Sequence, residues 1–576
     1  MQLHLTDEED KAVRGELEER ADYITDEELR DGTATNDFFE DVQKKLLGRG
    51  TKLVVGPRGC GKTHMMRFTQ ISCVEKEDLP LAVYVSFNRY YRLEPMLQSK
   101  ANAVRLFQVW TLARTVLATI HAVGLFTKSS NTALFSEAVG FSQETLEELI
   151  AHLETATRLD DRLEEIAERL NVSGVARVLD RAISYSKRRR CVLLLDDAAL
   201  TLTPDYLIEF FDIVRTIKTS TISPKASVYP GTTEYGPRFH ANHEAEEVPV
   251  WFSHEAPGYE AMMHAIAEKR FADFPKVSPD IADQLKYAAF GIPRAYLAML
   301  RKFVESNKGT AQQGLNTTID DHMGARLREF QTLAKKVPRF ESLVDVGQAF
   351  FRRAVEEVRD ANTSSSEAET KQMWLGLQDE AGQPLRERML SLLLEAGLLY
   401  EHPKVSHGED RTYRRFTPHI AALMQQRAFS AKQRGISPKG IVEFLRRPQA
   451  KHPVRRTLNT LLPAEEIAKI RLSLPPCARC TTPRISENQR FCHQCGAELL
   501  AASTFANYLS LPLIEVPGLT EWQQKKIPQF TALRTIGDLL AYSDPGSELR
   551  KIPLVGKTRA ESMISLVNAH IDEFFS

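Results

Sequence analysis

A chain of 576 residues is too long for one hydrophobic core and implies several domains. It is 43% hydrophobic and 26% charged with a formal net charge of −1, so it lacks the overall basic excess that would announce nucleic acid, and any such binding must come from local patches. The acidic start (LTDEEDKAVRGELEERADYITDEE) reads against a signal peptide, and no apolar run is expected to reach the roughly 18 residues of a membrane span. A cytoplasmic protein with no membrane partner is the expectation.

In chain order, residues 1–47 form an acidic segment of helical pattern. TKLVV (51–55) is a short apolar strand, and strand patterns recur at 81–87, 191–196, 226–231 and 247–252 with helical patterns between them. That alternation predicts a parallel sheet covered on both faces, spanning 48–254. Within it, about 125–186 reads as a helical insertion, with ETLEELIAHLETATRLDDRLEEIAERL as a solvated amphipathic stretch. Residues 255–335 are helical throughout, a lid-like segment. Residues 336–430 lead to RERMLSLLLEAGLLYEHPKVSHGEDRTYRRFTPHIAALM, a helix, strand, charged turn, strand and helix. That order resembles a winged helix with KVSHGEDRTY as the wing. Residues 431–475 hold ten Lys/Arg against three acids and read as a basic linker, either solvated or touching nucleic acid. A cysteine-rich piece (476–500) and a small helical segment (505–576) end the chain.

GPRGCGKT (56–63) fits the phosphate-loop pattern GxxxxGK[ST], directly after a strand and before a helix. Its glycines let backbone amides curl around phosphates, Lys62 reaches the β- and γ-phosphates, Thr63 ligates magnesium, and the helix aims its positive end at the anion. The expected ATP-binding set is Gly56, Pro57, Arg58, Gly59, Cys60, Gly61, Lys62, Thr63 and His64. CVLLLDDAAL (191–200) then supplies Asp196 for the magnesium ion and Asp197 to orient or deprotonate the attacking water. The alternative for Asp197 is a cap on the following helix. Asp197 is shorter than Glu by about 1.5 Å, and misplacement on that scale costs about a hundredfold in rate, so hydrolysis should be slow or gated.

SVYPGTTEY (227–235) ends a strand in Thr232 and Thr233, polar groups suited to the water or γ-phosphate. FGIPRAYLAML (290–300) puts Arg294 at a helix start, from which its guanidinium can report the γ-phosphate. Arg238 is a weaker candidate for action on a neighbour's nucleotide. Lys62, Asp196, Asp197, Thr232, Thr233 and Arg294 form the expected catalytic set.

Cys477, Cys480, Cys492 and Cys495 are two CxxC pairs eleven residues apart, the spacing of closed tetrahedral zinc without a catalytic position. Cys60, Cys73 and Cys191 read as small buried thiols. Near the end, two helix–hairpin–helix patterns carry Pro517-Gly518-Leu519 and Pro553-Leu554-Val555-Gly556. Lys557, Thr558 and Arg559 follow the second and suit phosphate contacts of duplex DNA. In the first, Glu521 and Trp522 suit phosphate poorly. A helical protein-interaction domain is the alternative for this segment.

Phosphate loop, Asp-Asp strand end, polar strand end, Gly-x-Pro-Arg helix and winged-helix pattern follow the order of the AAA+ ATPases. Over about residues 30–430 the chain resembles the origin-recognition branch and its signalling, STAND-like relatives. The resemblance implies a multidomain α/β protein: a parallel-sheet P-loop AAA+ core, helical lid, winged helix, zinc ribbon and small all-α C-terminal domain. It implies ATP, Mg2+ and Zn2+ as cofactors, and ATP-dependent assembly on DNA, with a protein partner or as a homo-oligomer. The departures are Asp197 in place of Glu and the lack of a securely placed arginine finger. An ATP-dependent DNA-binding switch is the leading expectation. The alternatives are a signalling or defence NTPase and an accessory ATPase of a transposition or restriction system.

Overall fold

Two inner strands of the N-terminal half are unbroken runs of buried side chains, as a sheet covered on both faces requires. In the computed structural model, β1 (Thr51–Val55), β2 (Leu81–Ser86), β3 (Cys191–Asp196), β4 (Ile222–Val228) and β5 (Ala245–Pro249) form one parallel sheet in the order β2-β3-β4-β1-β5. The structure describes residue 21 and residues 24–575 except 95, 97–100, 130–131, 156–157, 198–202, 307–308, 365–368, 381, 407–410, 430–436, 486–488, 490, 498, 500–507, 517 and 543. The start of the acidic segment, the tip of the expected wing and the start of the basic stretch lie outside the described residues.

β4 begins at Ile222, earlier than the sequence pattern suggests, because ISPKASV is buried at every position despite its polar look. Lys225 in its middle is fully buried and donates its ammonium protons to the carbonyls of Gly48, at 2.8 Å, and Gly50.

Two expectations about the helical stretch need correction. Helix α2 (Ala103–Thr127), which follows the phosphate-loop helix α1 (Lys62–Glu75), is long and apolar enough on average to span a bilayer. Here it is a core helix packed on β2 and on the helices Gln143–Glu154, Val172–Tyr185 and Pro204–Ile217, with Trp110 wholly buried. The segment read as solvated buries Leu146, Leu149, Ile150 and Leu153 against this assembly. Only its outer face is wet.

Four helices follow the sheet: Tyr259–Arg270, Pro279–Ala288, α3 (Pro293–Glu305) and α4 (Ala311–Lys336). Beyond Glu341–Ser364, a second sheet forms in the order β7-β8-β6-β9, from β6 (Leu375–Gln378), β7 (Leu399–Ser406), β8 (Thr412–Pro418) and β9 (Val454–Arg456). Helix α5 (Pro384–Glu395) precedes the β7–β8 hairpin and Ile420–Gln425 follows it, as the sequence pattern anticipates. β6 and β9 were not anticipated, and β9 lies in the stretch expected to be a linker. There, helix Pro438–Leu445 packs on Pro279–Ala288. Arg446 pairs with Glu260 and with Asp283 at 2.8 Å, and Arg456 pairs with Glu357 at 2.6 Å. Several of its basic residues thus bind the fold itself.

Candidate nucleotide site and cysteine cluster

β1 delivers the chain into a loop whose curvature depends on glycine. Gly59 and Gly61 sit at φ +79° and +101°, the left-handed region that side chains resist. Gly61 caps α1 without a side-chain bond, so the first amides of α1 face the loop, the arrangement that receives anions. At Gly56 a Cβ would lie 2.7 Å from the Cys60 sulfur, which shows Cys60 as a buried packing group.

Lys62 is buried and donates to the carbonyls of Gly56 at 2.6 Å and Pro57 at 3.2 Å. Its ammonium lies 4.0 Å from the centroid of the Tyr229 ring. Burial lowers its pKa, against the nearby Cys60, Asp196 and Asp197. The lysine is thus held back on its own loop. Thr63 lies in the first turn of α1. His64 turns away to Thr33, with its ring nitrogen 2.9 Å from the hydroxyl, and burial with Arg270 and Arg67 pushes its pKa down to about 4. Its ring thus faces the N-terminal segment, away from the loop, whereas the sequence pattern counts it with the loop residues.

Asp196 ends β3 fully buried, accepting from the Tyr84 hydroxyl at 3.0 Å and from the Asp197 amide at 3.0 Å. Asp197 is buried with φ +56°, its amide also donating to the Ser227 hydroxyl at 2.9 Å. Lys62, Asp196 and Asp197 converge, since each carboxylate acts on the lysine.

The polar strand end is committed elsewhere. The Thr233 hydroxyl accepts from the Tyr229 amide at 2.9 Å, closing the turn after β4. Thr232 is held by Glu395 of α5: its amide donates at 2.8 Å, and its hydroxyl lies 3.0 Å from both carboxylate oxygens. Glu395 escaped sequence reading because it lies more than 160 residues away and its environment is wholly tertiary. Arg294, in the first turn of α3, gives its amide to the Gly59 carbonyl at 3.5 Å, and its side chain lies along Gly59. The cations Arg326, Arg58, Lys336 and Arg294 hold the Glu329 carboxyl on the outer face of α4 below its usual pKa. A cationic cluster thus joins loop, α3 and α4. Arg238 pairs instead with Asp212 at 2.9 Å.

The four cysteine sulfurs all lie within 4.8 Å of one another, with Cys477–Cys495 and Cys480–Cys492 each at 3.5 Å. Bonds of about 2.3 Å to a tetrahedral zinc put sulfurs roughly 3.8 Å apart, so the donors fit that ion. The two knuckles match: Thr481 donates its amide to Cys477 and Gly496 to Cys492, at 2.8 and 2.9 Å, both in left-handed conformation. At the C-terminal hairpin, Leu554 has φ +70° and is 76% exposed. Lys557, Thr558 and Arg559 open helix α6 (Lys557–Phe575), with Lys557 78% exposed and Arg559 donating to the Leu554 carbonyl at 3.0 Å.

The sheet order, the loop after β1 and the acid at the end of β3 have the geometry of a P-loop nucleotide-binding fold, with the strand order found in AAA+ proteins. Comparison with family models agrees: residues 18–171 match the family described as ORC-CDC6-like. Among solved structures, a Walker-type ATPase of Pyrococcus abyssi aligns at 13% identity with a TM-score of 0.37, over 70% of this chain and 97% of that one. No curated protein matches the sequence significantly.

Proposed function

We propose that the protein is an ATP-dependent switch that hydrolyses its nucleotide slowly and acts by changing what it assembles with. In this reading the loop 56–63 binds ATP, Thr63 and Asp196 hold Mg2+, and Arg294 reports the γ-phosphate to α3 and α4. Zn2+ shapes the 476–500 ribbon. Lys557, Thr558 and Arg559 contact duplex DNA in a cytoplasmic setting. The observation that carries the slow-switch reading is Asp197. Its backbone is fixed in the left-handed region by two acceptors, so the chain cannot slide to offset its short reach.

Single-turnover ATP hydrolysis tests it. Asp197→Glu should raise the rate by about tenfold or more, and Asp197→Asn should remove most of it. An Asp197→Asn variant as fast as wild type would show that Asp197 is not the base. A second reading, a signalling NTPase that assembles with protein partners, gains from α5. In a winged helix, the helix before the hairpin is the one offered to a duplex, and here it packs on the ATPase core.

A further inference from the structure

Glu395 brings a buried carboxylate from the C-terminal half into the nucleotide domain. It is 8% exposed and accepts the amide protons of Gly231 at 2.9 Å and Thr232 at 2.8 Å, and the Thr232 hydroxyl. Successive amides and a hydroxyl converging on one anionic group form the kind of nest that receives phosphate oxygens. The surroundings fit an anion too, since Arg58 of the phosphate loop is the strongest charge acting on Glu395, and Glu395 in turn acts on Lys62.

The contact is broad. Arg388, two turns earlier on α5, donates to the Gly231 carbonyl at 2.8 Å. A Cβ on Gly231 would lie 2.7 Å from the Leu392 backbone, and one on Gly397 3.6 Å from Pro57. Arg339, ahead of α5, pairs with Glu234 at 2.8 Å. Residues 231–234 are therefore gripped along their length by the segment that carries the second sheet.

We propose that Glu395 is a nucleotide-responsive latch, a carboxylate that occupies the γ-phosphate-sensing position of Thr232, so that binding of ATP, but not ADP, competes with docking of α5. The inference rests on the nucleotide reading of the loop 56–63. A threonine hydroxyl has one proton to give, and while Glu395 takes it no phosphate oxygen can. The γ-phosphate also adds negative charge beside a carboxylate. Whatever favours ATP therefore disfavours the docked α5, and the coupling works equally in reverse. Glu395 is a positioning residue here, acting through Thr232. Burial raises its pKa, which marks the ionised form as costly once Arg58 is drawn to another anion.

The test uses the full-length chain with Mg2+. Fluorescent ATP and ADP analogues are titrated against wild type and Glu395→Gln, and amide exchange is followed in residues 229–234 and 384–398. If the latch exists, ATP but not ADP speeds exchange in both wild-type segments. Glu395→Gln then tightens ATP relative to ADP by about tenfold or more. Should Glu395→Gln fail to fold, Arg388→Ala loosens the same contact from its more exposed side and should shift the ratio in the same direction. Wild type that binds neither nucleotide overturns the nucleotide reading and the latch with it. Wild type that binds both, with an unchanged ATP-to-ADP ratio in the variant and equal exchange under both nucleotides, overturns the latch alone.

Discussion

Lys225 shows how far local chemistry departs from what residue type suggests. A lysine in a central strand would ordinarily argue against that strand, yet this one is buried with its amine on two backbone carbonyls, those of Gly48 and Gly50. A neutral amine keeps two protons, enough for both acceptors, and burial with the nearby Lys52 and Arg190 lowers its pKa to about 7. Below pH 7 the amine is charged in folded and unfolded chains alike, and the fold bears the full cost of the buried charge. Between about pH 7 and 10 the unfolded chain holds a proton that the folded one has lost, so stability climbs with pH at up to about 1.4 kcal/mol per unit. Denaturant unfolding at pH 7 and pH 9 should show that climb in wild type and its loss in Lys225→Met. Equal pH dependence in both would assign the slope to other groups.

Among the elements, the cysteine knuckles were the most legible, because CxxC spacing fixes both ligands and turn. What the spacing did not show is the asymmetry between them. The left-handed position is glycine in one knuckle, Gly496, and threonine in the other, Thr481. A β-branched residue there costs roughly 1–2 kcal/mol, partly offset by the Thr481 hydroxyl bonding to the Cys480 carbonyl at 2.7 Å. Thr481→Gly should therefore hold zinc as tightly as wild type or better in a chelator competition. Gly496→Val should release it about tenfold more readily. The phosphate loop was readable too, since its eight residues carry their own backbone requirement. β6 and β9 were not, being four and three residues long and taking their meaning from each other. Thr232 and Thr233 were found as polar groups after a strand; Thr233 is taken by the local turn to Tyr229, whereas the hold of Glu395 on Thr232 follows from packing alone.

On the scale of the whole molecule, charge is distributed to close the structure on itself as well as to meet partners. Arg446 and Arg456, drawn from the stretch read as a basic linker, bind acids on neighbouring helices, which shifts the proposed DNA contact toward the exposed start of α6. Duplex binding by the intact chain should weaken steeply as salt rises, and Lys557→Glu with Arg559→Glu should flatten that slope by about two phosphate contacts. A double variant with unchanged affinity and slope would remove this hairpin from the DNA contact and favour assembly with protein.

The pairing of β9 with β6 also has a consequence in time. β6 is made early, together with the hairpin beside it, while its other neighbour emerges only at Val454–Arg456. At ~5–20 residues per second, the nascent chain holds an open apolar strand edge for on the order of several seconds. During that interval the second sheet has no finished rim, and the platform that carries α5 is still incomplete. Until β9 arrives, the α5 contact with residues 231–234 therefore rests on a sheet whose β6 edge is still unpaired.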